Sequence, residues 1–180
     1  MSEPLNWLPA AAHRDLVAEP VATALQNWPP ANEVLVAEID PDLADTAALC
    51  ARYDVSLDES ANCVVIAARR GERTTLAACV VLATTRADVN NLVRRRLDAR
   101  KASFASTDIA VAETAMEYGG ITPIGLPPTW PVLVDAAVVG TPSVVIGSGI
   151  RGSKLRLPGA ALAELPNAEV LDGLGLPVGQ

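Results

Sequence analysis

Short apolar runs rich in β-branched residues, bounded by polar or glycine-containing turns, recur along the chain and predict strands. Residues 62–69, "NCVVIAAR", and 74–83, "TTLAACVVLA", are rich in small and β-branched apolar residues, and "RRGER" lies between them. This pattern predicts a β-hairpin. "EVLVAEI" (33–39) alternates as a half-buried strand does, and "ASFAS", "PVLVDA", "SVVIGS" and "AEVLDG" read as further short strands. Helical spacing appears elsewhere. A Thr85-x-x-Asp88 capping pattern precedes Val89, Leu92, Val93 and Leu97, which share one helical face. Residues 40–54 read as a helix with Asp40 as cap and Pro41 in the first turn. Another helix near 11–27 is strained by Pro20 and stops at "NWPPAN". Ser106 is placed to cap a helix over 107–118, which Gly119 or Gly120 ends in the left-handed conformation. A short helix is expected near 158–165. Strands outnumber helices, and hairpins mix with crossovers. The expected fold is a single α/β domain with a mixed, curved, barrel-like β-sheet flanked by helices, not a Rossmann repeat.

Composition sharpens this picture in three ways. Half of the 180 residues are apolar but only 3% are aromatic, so the core must be aliphatic. A chain of this length can bury about two thirds of its unfolded surface in one domain. No apolar run reaches the roughly 18 residues of a membrane span. The start, "MSEPLNWLPAAAHRD", lacks the basic and apolar regions of a signal peptide. Cys50, Cys63 and Cys79 are odd in number and widely spaced. They are expected as free thiols in a reducing cytoplasm. Charge is unevenly distributed: residues 1–60 carry 11 acids and 2 bases, and residues 61–160 carry 12 bases and 7 acids. The net charge of −7 argues against nonspecific DNA coating, yet the basic body can meet a polyanion.

Candidate chemistry is sparse. His13 is the sole histidine and has no G-x-S-x-G partner motif, which disfavours a Ser-His-Asp relay. No short spacing of His, Cys and carboxylates converges as metal ligands do, so no metal is expected. "GSGIRGSKLRL" (147–157) places glycines beside Arg151, Lys154 and Arg156. It is either a solvated hairpin or a backbone that approaches phosphate or ribose closely. "RRRLDARK" (94–101) is either a solvated helix end or a nucleic-acid contact, the latter without interleaved aromatics. "GGITPIGLP" (119–127) is either a helix stop with a turn, or a rigid loop whose N–H groups face a developing oxyanion.

The order "ADVNNLVRRRLDARKASFAS … GGITPIGLP … PVLVDAAVV … VVIGSGIRGSKLRL" resembles the YbaK/ProX family of aminoacyl-tRNA deacylases, over roughly residues 42–172. The resemblance implies a core domain of about 41–180, with residues 1–40 as an acidic extension packed on it. It implies editing of mischarged tRNA in trans by ester hydrolysis, without metal or organic cofactor. The expected partners are the aminoacyl-tRNA acceptor end and an aminoacyl-tRNA synthetase; DNA and membranes are not expected. In that family a G-x-x-x-P loop holds the aminoacyl carbonyl. Gly119 to Pro123 match it, with Gly120 as the next amide donor and Ile121 and Thr122 within it. Gly147, Ser148 and Gly149 match a second glycine-rich segment, near Arg151 and Lys154. Asp135 stands where the family commonly has an acid. One departure is marked: the family has a lysine entering its first hairpin, and Asn62 stands there. Asn62 can orient an ester or water but brings no charge, which leaves a non-catalytic aminoacyl-tRNA or synthetase-binding module as the alternative.

Overall fold

The computed structural model describes residues 2–178. Its centre is the predicted hairpin, β3 (Ala61–Arg70) and β4 (Arg73–Leu82). The tight turn between them has Gly71 at φ 63°, where a side chain would be strained. On one side β3 pairs antiparallel with β6 (Lys101–Phe104). On the other, β4 pairs parallel with β7 (Val132–Asp135), and β7 pairs parallel with β10 (Ala168–Leu171). This five-stranded mixed sheet stands beside a four-stranded antiparallel one. The second sheet runs β1 (Leu8–Pro9), β2 (Leu35–Glu38), β9 (Ser153–Leu157) and β8 (Val144–Gly147). A single parallel bridge, Ser60 to Val145, stitches the two sheets together. They form one α/β domain whose sheets curve past each other and remain open.

The largest core lies between the sheets and is aliphatic, as the composition requires. Val36, Val80, Val134, Ile146, Leu155 and Leu157 meet there, with Val21 and Leu25 of helix α1 (Glu19–Leu25) above them. The outer face of the four-stranded sheet is covered by helix α2 (Thr46–Arg52), where Leu49 and Tyr53 pack on Val145 and Ile39. Residues before position 40 are integral to this packing. β2 pairs with β9, and Val21, Val34 and Val36 are fully buried.

Several local expectations change. Pro20 sits in the first turn of α1, where a missing N–H costs nothing, so it starts the helix instead of straining one. The stretch 40–54 splits in two. Asp40 caps only a short turn, Pro41–Leu43, and Asp45 caps α2 by accepting from Ala47 and Ala48 N–H at 3.1 and 3.3 Å. Thr85 does not cap a helix: Thr85–Ala87 form β5, antiparallel to β11 (Gly175–Pro177). A π-turn, Val89–Val93, and helix α3 (Arg94–Arg96) follow it. Ser106 does cap helix α4 (Thr107–Thr114) through Ile109 N–H. That helix ends at Ala115, itself left-handed at φ 57°, well before the glycines. A short helix α5 (Ala136–Val139) after β7 was not anticipated. No helix among the described residues is long and apolar enough to cross a membrane.

Candidate functional site

The bridge that joins the sheets also builds a cleft. Ser60 and Val145 are parallel partners, and continuing that register by two residues sets Asn62 of β3 beside Gly147 of β8. Gly147 in turn pairs with Lys154 of β9. Paired positions share a face of a sheet, so Asn62, Gly147 and Lys154 form a row, bare of side chain at its centre. The loop 119–121 lies over that bare centre: a Cβ on Gly147 would come within 2.5 Å of Gly120 O and 2.7 Å of Ile121 O. The start of α2 forms another wall. The result is an open cleft of about 680 Å³ lined by Asn62, Gly119, Ile121, Gly147, Arg151 and Lys154, among others.

Within the cleft each group has a defined state. Thr46 Oγ1 donates to Asn62 Oδ1 at 2.8 Å, which leaves the Asn62 NH₂ to donate elsewhere. The Gly119 and Ile121 amides form no hydrogen bond among the described residues, and both residues line the cleft. Gly119 adopts φ 90°. Lys154 is only 7% exposed and has no ion-pair partner within 4 Å among the described residues. Burial, then the nearby Arg151 charge, push its ammonium pKa down, against the attraction of Asp45 and Cys50. The mouth carries two exposed aromatics, Phe104 and Tyr118, at 62% and 61% exposure. In a chain with one phenylalanine and two tyrosines this is a concentrated use of scarce rings.

The other expected residues serve the loop from behind. Gly120 does not line the cleft. Its N–H donates to Glu117 O at 2.9 Å, its carbonyl accepts from Gly149 N–H at 2.6 Å, and a Cβ would lie 2.6 Å from the Ile150 backbone. Gly149, at φ 92°, accepts from Glu117 N–H and leaves room for Ala18, whose Cβ would be 2.3 Å from an added one. Ser148 is fully buried, and its hydroxyl lies 2.6 Å from Ser153 Oγ, inside the turn. Arg151 lines the cleft but acts as a brace: its guanidinium donates to Tyr118 O at 3.2 Å and Pro41 O at 3.0 Å. Thr122 is buried with an unpaired hydroxyl, and Pro123 faces a separate apolar cavity of about 290 Å³ beside Trp28. Asp135 lies away from the cleft, capping α5 at Ala137 N–H and accepting from Gly175 N–H at 3.1 Å. Cys63 also touches the cleft, but burial raises its thiol pKa, and that of Cys79 to about 12, so neither is a ready nucleophile. No group of His, Cys and carboxylates suited to a metal exists among the described residues.

Sequence reading missed Asp45, Thr46, Phe104 and Tyr118. Thr46 was hidden inside an expected continuous helix. Phe104 carried a signal in being the sole phenylalanine, placed in a short strand of otherwise small and polar residues, "KASF".

With this geometry in place, comparison with known proteins defines the class. The aminoacyl-tRNA editing domain matches residues 40–165, more than half of the chain, and the protein belongs to that family. Among solved structures, the chain resembles a proposed trans-editing enzyme for prolyl tRNA synthetase, with a TM-score of 0.70 at 20% identity. That match covers 93% of this chain and 98% of the other. A scaffold protein used for computational epitope grafting shares the fold at a TM-score of 0.73 and 20% identity, over 86% of this chain and 95% of its own.

Proposed function

We propose that the protein hydrolyses, in trans, the ester joining a wrongly attached amino acid to the terminal adenosine of a tRNA. The observation that carries this reading is a cleft lined by Asn62, whose NH₂ is free to donate, and by Gly119 and Ile121, whose amides have no hydrogen-bond partner among the described residues. Such donors, fixed in advance, favour the charge that develops on a carbonyl oxygen, each by about 3 kcal/mol. Water adds its oxygen to the carbonyl carbon, and the tetrahedral adduct expels the ribose oxygen, which takes up a proton lost by the water. The products are the free amino acid and a tRNA with both terminal hydroxyls restored. With no histidine in the cleft, the substrate's own vicinal hydroxyl orients or deprotonates the water. The protein's share is therefore positioning and electrostatics. Neither metal nor organic cofactor takes part, and the site works in the cytoplasm, alone or beside a synthetase.

A panel of mischarged tRNAs tests this. Release of one amino acid well above the uncatalysed rate supports hydrolysis. Asn62 favours a second reading, an aminoacyl-tRNA or synthetase-binding module without turnover. Tight binding with the ester intact throughout the panel would establish that module instead.

A further inference from the structure

We infer that Lys154 is the cation of this site and acts on the negative charge of the tetrahedral adduct, supplying from β9 the charge that β3, with Asn62, does not. This rests on the hydrolytic reading above and adds a catalytic residue to it. Three structural features carry it. Lysine is almost never buried unless paired, and Lys154 is buried beside the cleft with no ion pair among the described residues. The strand register aligns it with Asn62 across a glycine, so both lie on the sheet face that carries loop 119–121, and both line the cleft. The other nearby cation, Arg151, is committed to two backbone carbonyls. Lys154 is thus the cation lining the cleft that no hydrogen bond or ion pair among the described residues commits elsewhere. A lowered ammonium pKa agrees with desolvation at a working position.

The test compares the wild-type protein with Lys154→Met, which keeps the side chain's length and removes the charge, and with Lys154→Arg. On a mischarged tRNA, Lys154→Met is expected to lower kcat about 10²- to 10³-fold. KM should stay within about threefold. The arginine variant should recover part of the loss. Wild-type kcat in Lys154→Met, or a raised KM as the sole change, overturns the assignment. A second measurement needs no turnover. A phosphonate analogue of an aminoacyl-adenosine carries a tetrahedral anion, and its amide analogue is planar and neutral at that centre. The wild-type protein should prefer the phosphonate and Lys154→Met should lose the preference; equal preference in both overturns the assignment. Lys154-dependent phosphonate binding without release of amino acid from any tRNA ends the hydrolytic reading and the catalytic role together, and leaves Lys154 as an anion-binding residue. Equal release by wild type and Lys154→Met ends the cation and keeps the hydrolytic reading.

Discussion

The two halves of the segment 119–127 do different work with similar residues. In the first half, Gly119 and Ile121 line the cleft with amides that have no partner among the described residues, and an added Cβ on Gly119 would meet a side-chain tip, the Arg151 guanidinium, at 2.5 Å. In the second half, Gly125 is clamped against backbone. At φ 88° its added Cβ would lie 2.5 Å from Pro20 O and 2.7 Å from Pro20 C. Pro123, Ile124 and Leu126 beside it face the cavity under Trp28. A glycine next to a side-chain tip leaves a surface for a ligand, whereas a glycine next to backbone joins two parts of the fold. The contrast separates chemistry from anchoring within nine residues.

Substitutions can break that contrast. Gly125→Val should have the largest effect, removing more than about 3 kcal/mol of stability, because backbone cannot step aside. Thermal unfolding would show it, and activity should track the folded fraction. Gly119→Ala should cost only about 1–2 kcal/mol of strain. It should nevertheless cut turnover per folded molecule about 100-fold by turning the amides. If the two variants lose activity only in proportion to stability, the two halves are not distinct. At the mouth of the cleft, Phe104→Ala and Tyr118→Ala should raise KM for aminoacyl-tRNA about tenfold each and leave kcat alone, because stacking on unpaired bases is worth about 1–3 kcal/mol. Unchanged KM in both would remove the rings from substrate binding.

The smallest effect is a pH trend of opposite sign in activity and stability. Asp45, Arg151 and Cys50 are the charged or titratable groups that bear on Lys154, and burial dominates, so its pKa in the folded protein lies below the ordinary 10.5. Between those two values the unfolded chain holds the proton more firmly. Stability contributed at this position therefore rises with pH, while turnover falls as the ammonium is lost. Lys154→Met should flatten both trends in paired denaturation and rate measurements across alkaline pH.

The sequence made the hairpin legible because two runs rich in small and β-branched apolar residues flank a polar turn, which leaves few alternatives for residues 61–82. The ends of helices were less legible. Thr85 is drawn into a strand by Gly175–Pro177, ninety residues away, and a local capping pattern cannot register that competitor. Ala115 takes the left-handed position although true glycines follow it, so propensity yielded to packing at Thr114 and Met116, both buried. The motif order pointed to Asn62 and Gly119, which do share the cleft. It also marked Asp135 and Ser148, which hold structure together elsewhere. Lys154 read as a solvated or phosphate-facing base because Ser153–Leu157 alternates like an exposed strand. Only the loop laid over Gly147 and the start of α2 turn its outward face into an inward one.

The bare centre of the row at Gly147 has a consequence for how such sequences drift. With no side chain between them in the row, positions 62 and 154 line the same cleft from one sheet face, so a charge absent from one can be placed at the other without moving a strand. Lysine at 62 should then rescue Lys154→Met, and the two sites behave as a single heritable trait spread over ninety residues.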